Sequence, residues 1–351
     1  MLSACSTFDD VHFDQQAKES FENITQANIA SNYDKPTISL SQLLAINEAN
    51  ALIADALTNN PSLQQTLLTL KAAEQQLKVT SSAQWPSITG GINADKSQAS
   101  TAVYGSSIDV AWTLDIWQQL SDASNADKAN AISSAYAYQG AKDLLAANIM
   151  QAYLGLVQFT QLIAIETERV AAYQTNEKVI IDRYRKGLIK LNDLDTAQSS
   201  TQSSQATLVD YQAQYQQALR NLVLLTGVSE NRLEYRLTFP DVVMSLDKVA
   251  DQNLGRRPDL QQAYQIIIAN QYQHKVAYKA LLPSLSLTAS ITNSDTNLHD
   301  ALFGSSAWKL LGQLSAPLFN AGKLTSEVQI AKLTAEKSYW SFQEKLLTAV
   351  N

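Results

Sequence analysis

The chain has 351 residues, of which 45% are hydrophobic and only 17% charged, against about 25% charged in an average soluble domain. Its formal net charge of −7 argues against nucleic acid or an anionic membrane surface as a partner. One cysteine cannot make a disulfide framework or a Cys-x-x-Cys metal site, and no run of about 18 apolar residues reads as a transmembrane helix. Glycine (11) and proline (7) are scarce, and residues 87–239 lack proline altogether. That pattern points to very long helices and away from a loop-rich enzyme.

The chain opens Met1-Leu2-Ser3-Ala4-Cys5. A Leu, two small residues and a Cys form the pattern at which bacterial lipoproteins are cleaved and acylated. The charged and apolar parts of a signal peptide are missing ahead of it. The reading is therefore a start inside the signal peptide, with lipidation at Cys5; a free thiol is the plainer alternative. Ser6, in place of Asp, is compatible with sorting to the outer membrane. Residues 1–39 are read as this N-terminus and its linker.

A first repeat is expected over 40–227. Pro61 suits a first helical position, where no N–H is needed, and Pro86 ends that helix. Strands follow at 86–96 and 107–117. In the second, Ile108, Val110, Trp112, Leu114 and Ile116 alternate with Asp109, Ala111, Thr113 and Asp115. The period of two puts Asp109 and Asp115 on a wet face. From 120 the period becomes helical: Leu145, Ile149, Ala152, Leu156, Phe159 and Ile163 keep a strict 4-3 spacing. A turn at Gly187 and a returning helix, closed by Gly227, complete a hairpin over 120–226.

Residues 228–254 read as a linker and 255–351 as a second repeat. Sliding the chain by 197 superposes Pro61, Leu63, Gln64 and Gln65 on Pro258, Leu260, Gln261 and Gln262, and Pro86 on Pro283. The helix from Pro258 is followed by strands at 284–292 and 308–318, with Ser286 on the wet face opposite Leu285 and Leu287. Loops are expected at 97–106 and 293–306. Strands of about ten residues with one greasy face match a tilted membrane-spanning strand. Trp85, Tyr104, Trp117, Phe303 and Phe319 cluster near strand ends, as an interfacial girdle would place them. A half-buried hairpin on a helical layer is the alternative.

No catalytic constellation is present. His12, His274 and His299 lack metal-ligand spacing, and no Gly-rich phosphate loop, GxSxG or HExxH occurs. Arg256-Arg257 reads as a linker salt bridge rather than an anion site. No metal or cofactor is expected, and no enzymatic activity.

Asn60-Pro61-Ser62-Leu63 and Gly255-Arg256-Arg257-Pro258-Asp259-Leu260 resemble the two repeat-opening motifs of the bacterial outer-membrane efflux factors, the TolC-like family. Leu114-Asp115-Ile116-Trp117 and Pro317-Leu318-Phe319-Asn320-Ala321-Gly322-Lys323-Leu324 are similar to its strand-to-helix signatures. Arg183-Tyr184-Arg185-Lys186-Gly187-Leu188 resembles its periplasmic tip, with Lys186 departing from the usual Val. The cysteine and the Arg-Arg-Pro-Asp-Leu form point to the lipoprotein subgroup that serves resistance-nodulation-division pumps.

The resemblance implies an α+β membrane protein: a long antiparallel helical coiled-coil tunnel and four strands given to a trimeric 12-stranded β-barrel. It implies a homotrimer in the outer membrane, lipid-anchored and extending into the periplasm. Its partners would be outer-membrane lipid, a periplasmic adaptor and an inner-membrane resistance-nodulation-division transporter. Its work would be passive export of drugs, detergents or metabolites. Gly187 and Leu188 would contact the adaptor. Asp193, six residues past the glycine, matches the family's tip aspartate and with its neighbour Asp195 would line an aperture; the alternative is that both simply complement a helix N-terminus. Asp109, Asp115 and Ser286 would face the lumen. A lipid-anchored periplasmic coiled-coil scaffold without channel activity is the rival function. Only about 27 residues follow Leu324, so the reading also expects some 80 residues of the second repeat, including a second tip, to be missing from the C-terminus.

Overall fold

The computed structural model describes residues 12–28, 46–98, 100–228 and 254–350. Cys5 and the linker expected at 228–254, apart from its two end residues, lie outside the described residues. Within them the order is α1 (Phe13–Asn28), α2 (Asn47–Asn59), α3 (Pro61–Ser82), β1 (Ser87–Asp95), β2 (Val103–Leu114), α4 (Gln119–Arg185) and α5 (Leu191–Thr226). After a 3-10 turn at Leu254–Arg256 come α6 (Pro258–Lys279), β3 (Ser284–Asp295), α7 (Leu298–Phe303), β4 (Ala307–Ser315) and α8 (Lys323–Val350).

The duplication is visible in the elements. Helices α3 and α6 each have 22 residues, each starts at its proline, and each leads into a strand. Asn60 caps α3: its Oδ1 accepts the Leu63 N–H at 2.9 Å, which satisfies one of the donors a helix start leaves open. The 67 residues of α4 make a helix of about 100 Å at 1.5 Å per residue.

The four strands form one antiparallel sheet in the order β1-β2-β3-β4. Strand ends differ from expectation where side chains or proline intervene. β2 begins at Val103 and stops at Leu114, short of 117, and β4 stops at Ser315, two residues before Pro317, which has no N–H for a ladder. β3 continues to Asp295, and the loop expected at 293–306 contains the short helix α7.

By contacts the chain divides into two units that do not follow the repeats. One comprises 1–31, 68–137 and 253–351, the other 32–67 and 138–252, so α3 and α4 each contribute to both. The first unit holds the sheet and a core between α1, α6 and α8, where Ala17, Leu260, Ile267, Ala335, Phe342 and Leu346 are buried. Phe13 stacks on Tyr339 with ring centroids 5.8 Å apart. The second unit buries Leu52, Leu63, Ile149, Tyr153, Leu156 and Leu222 between α2, the start of α3, α4 and α5.

Candidate functional site

The register sorts the sheet into two faces. Ile88, Val110, Ala289 and Leu310 are consecutive partners across the four strands, and one residue on so are Thr89, Asp109, Ser290 and Lys309. Residues opposite each other point the same way and neighbours along a strand point oppositely. One face therefore carries Ile88, Ile108, Val110, Leu285, Leu287 and Trp308, and the other Thr89, Asp109, Thr113, Ser286, Ser290 and Lys309. Asp109 and Ser286 fall together on the polar face. Asp115 does not: it lies one residue past β2, and its carboxylate accepts the Leu120 N–H at 2.9 Å, the Ser121 N–H at 2.8 Å and the Ser121 hydroxyl at 2.6 Å. Alternation had placed it on the wet face; the end of the strand makes it the cap of α4 instead. Partial burial pushes its pKa up, but the bonds from Ser121 and the helix amides outweigh that and leave it below the usual carboxylate value.

The turn into α4 needs one more device. Gln118 takes φ 61°, the left-handed region, immediately before the helix, while before α8 the same place is held by Gly322 at φ 83°. Trp117 fastens this turn, its indole N–H donating to the Pro283 carbonyl at 2.7 Å, and the Lys279 ammonium pairs with Asp122 at 2.6 Å.

At the far end of the hairpin, α4 stops at Arg185. Gly187, at φ 72°, turns the chain, its N–H reaching the Tyr184 carbonyl and the Leu188 N–H the Arg183 carbonyl. Leu188 is 70% exposed, an apolar residue at the outermost turn. Asp193 accepts the Lys190 N–H at 3.0 Å, so it caps the start of α5; Asp195 is exposed one step further along. Lys186, the departure from the usual Val, is held by Asp182 at 2.7 Å.

Two polar contacts were not read from the sequence. Glu166, 2% exposed, sits between α4 and α5, accepts a hydrogen bond from Ser204 and pairs with Arg169 at 3.1 Å. Position 166 continues the 4-3 spacing three residues past Ile163, so the heptads already put this acid in the seam; what they could not give is the Ser204 hydroxyl across it. Asn60 also ties its cap to the other end of the second unit, its side-chain amide donating to the Leu225 carbonyl at 2.7 Å. The Asn-Pro pair marked the helix start but not this tie.

Comparison with known proteins bears on this geometry. A family profile described as outer membrane efflux protein matches residues 52–228 and 249–351. The cation efflux system protein CusC of Escherichia coli K12 is 24% identical over 313 residues, covering 86% of this chain and 68% of that protein. The probable outer membrane lipoprotein SilC of Salmonella typhimurium is 26% identical over 322 residues, with the same two coverages. The solved Campylobacter jejuni CmeC outer membrane channel superposes with a TM-score of 0.80 at 20% identity, covering 92% of this chain and 73% of that one.

A sheet with one greasy and one polar face and, among the described residues, two open edges, in one chain with helices far too long for a globular core, is the build of an outer-membrane channel protein. The chain belongs to the outer membrane efflux protein family. It is the outer-membrane channel component of an efflux system, in a family of transport channels rather than enzymes.

Proposed function

We propose that three copies of the chain close one 12-stranded barrel through which small molecules leave the cell passively, with energy supplied by an inner-membrane resistance-nodulation-division transporter joined by a periplasmic adaptor. The observation that carries this is the sheet order: among the described residues β1 and β4 are edges without a partner strand. In lipid each unpaired backbone group costs several kcal/mol, so the edges must pair with further strands. Four strands per copy and a threefold axis supply the twelve.

In this reading the face with Asp109 and Ser286 lines the lumen and the face with Leu287 meets lipid. Gly187 and Leu188 offer the adaptor an exposed apolar turn. Threefold repetition brings Asp193 and Asp195 around one axis, where carboxylate rings concentrate cations; Asp193 can serve there while capping α5, since a cap uses only one of its oxygens. Acylation of Cys5 anchors the chain, and a labelled fatty acid should mark the protein but not its Cys5→Ser variant. The cargo class includes drugs, detergents and metabolites, and the relatives named for cation efflux extend it to cations.

Planar bilayers test the reading. Reconstituted protein should give discrete single-channel current steps, and Asp193→Asn should lower cation preference with little change in assembly. A protein that stays trimeric or monomeric but never conducts would favour the rival, a lipid-anchored coiled-coil scaffold.

A further inference from the structure

On the polar face of the sheet, one rung runs Thr89, Asp109, Ser290, Lys309. Its two charges stand out for three reasons. Apart from Asp95 in the last rung of β1, they are the only charged residues that face contains. None of the described ion pairs or side-chain hydrogen bonds uses either of them. And the register holds them two strands apart, about 9.6 Å at 4.8 Å per strand, too far to pair directly.

We propose that Asp109 and Lys309 are the residues that set the charge preference of the barrel wall, each cancelling the field of the other. The inference rests on the trimeric channel proposed above. Threefold symmetry turns each residue into a ring of three. Strands tilted by about 40° lift one ring above the other by about 6 Å, less than the screening length of roughly 8 Å at physiological salt. The two fields therefore overlap along the path, and this rung is charge-separated but net neutral; Asp95 lies six residues further along β1, about 20 Å away at 3.4 Å per residue and beyond the screening length. Small cations and small anions pass it with similar ease, so this level of the barrel leaves selection by charge to other parts of the pathway. Because neither charge is tied to a partner among the described residues, both act on the solute in the lumen.

Reversal potentials in a tenfold potassium chloride gradient test the pair, with the full chain reconstituted in planar bilayers and trimer checked on semi-native gels. Lys309→Gln should raise the potassium-to-chloride permeability ratio by about two-fold, the size expected for a few unit charges roughly 10 Å from the path in salt-screened water. Asp109→Asn should lower it by a similar factor. The double variant, and the exchange of Asp109→Lys with Lys309→Asp, should both return to the unaltered ratio. Conducting single variants with an unmoved ratio, shifts in the same direction, or a double variant that fails to return would each overturn the pair while leaving the channel intact. If the unaltered protein gives no current steps, the channel reading falls and takes this proposal with it.

Discussion

The sheet and the helical hairpin use their apolar residues in opposite ways. In the second unit Ile149 is 0% exposed, packed with Tyr153, Leu156 and Leu222 in a core the single chain completes. In the sheet, Ile88 and Trp308 are 71% and 80% exposed, and every residue of both edge strands is open to the surroundings. Water would not tolerate that face as a continuous patch. The hairpin is stabilised by the hydrophobic effect within one chain; the sheet needs a solvent of lipid and strands from elsewhere. The same contrast appears in the polar groups: Glu166 of the hairpin and Asn60 at the start of α3 are paired across helices, while Asp109 and Lys309 of the sheet have no partner among the described residues.

Four substitutions sharpen that contrast, from the largest effect downward. Ile149→Ala empties a fully buried site and should cost about 2–5 kcal/mol. Denaturant unfolding followed by helical circular dichroism should register the loss equally in detergent and in lipid; a loss confined to lipid would mean the hairpin does not carry its own core. Leu287→Arg should do the reverse. It costs about 2–4 kcal/mol at a lipid-facing midplane site, and the assembled fraction in lipid should fall more than with Ser286→Arg, its neighbour on the polar face. Equal losses from both would overturn the register that separates the faces.

The third concerns the junction of sheet and helix. Asp115→Asn keeps the shape of the α4 cap but removes its charge, and should lower stability at neutral pH by about 1 kcal/mol. Because the folded pKa of Asp115 lies below its unfolded value of about 3.9, the stabilisation is present above that value and disappears as pH falls through the folded pKa. The gap between the two proteins should be constant from pH 7 to 5 and close in more acidic solution. A gap that widens on acidification would show that the carboxylate is not what the cap uses. The smallest effect is a gain: Gln118→Gly frees a left-handed residue of its side chain, as Gly322 does at the matching turn, and should raise stability by about 0.5–1 kcal/mol. A drop in melting temperature would mean that the Gln118 side chain contributes more than its strain costs.

Much of this protein was legible without a structure because its regularities are one-dimensional. The offset of 197 between Pro61 and Pro258, the period of two in Leu285 to Ile291 and the 4-3 spacing from Leu145 to Ile163 are all properties of a string, and they specify helix, strand and duplication. They also placed Asp109 and Ser286 on one face, since a strand's alternation survives whatever the strand pairs with. Tertiary structure decided what depends on residues distant in sequence or on a chain reversal. The alternation runs on to Ile116, yet the strand stops at Leu114, because the Asp115 carboxylate is taken by amides of α4. The heptads allow an acid at 166, but only the crossing of α5 supplies the Ser204 hydroxyl that holds it buried. Asp109 and Lys309 lie 200 positions apart in the string, and only the pairing of β2, β3 and β4 brings them onto one rung. Periodicity is local and additive, so the sequence alone carries it; register, capping and charge balance are relations between segments, and they exist only once the chain has brought those segments together.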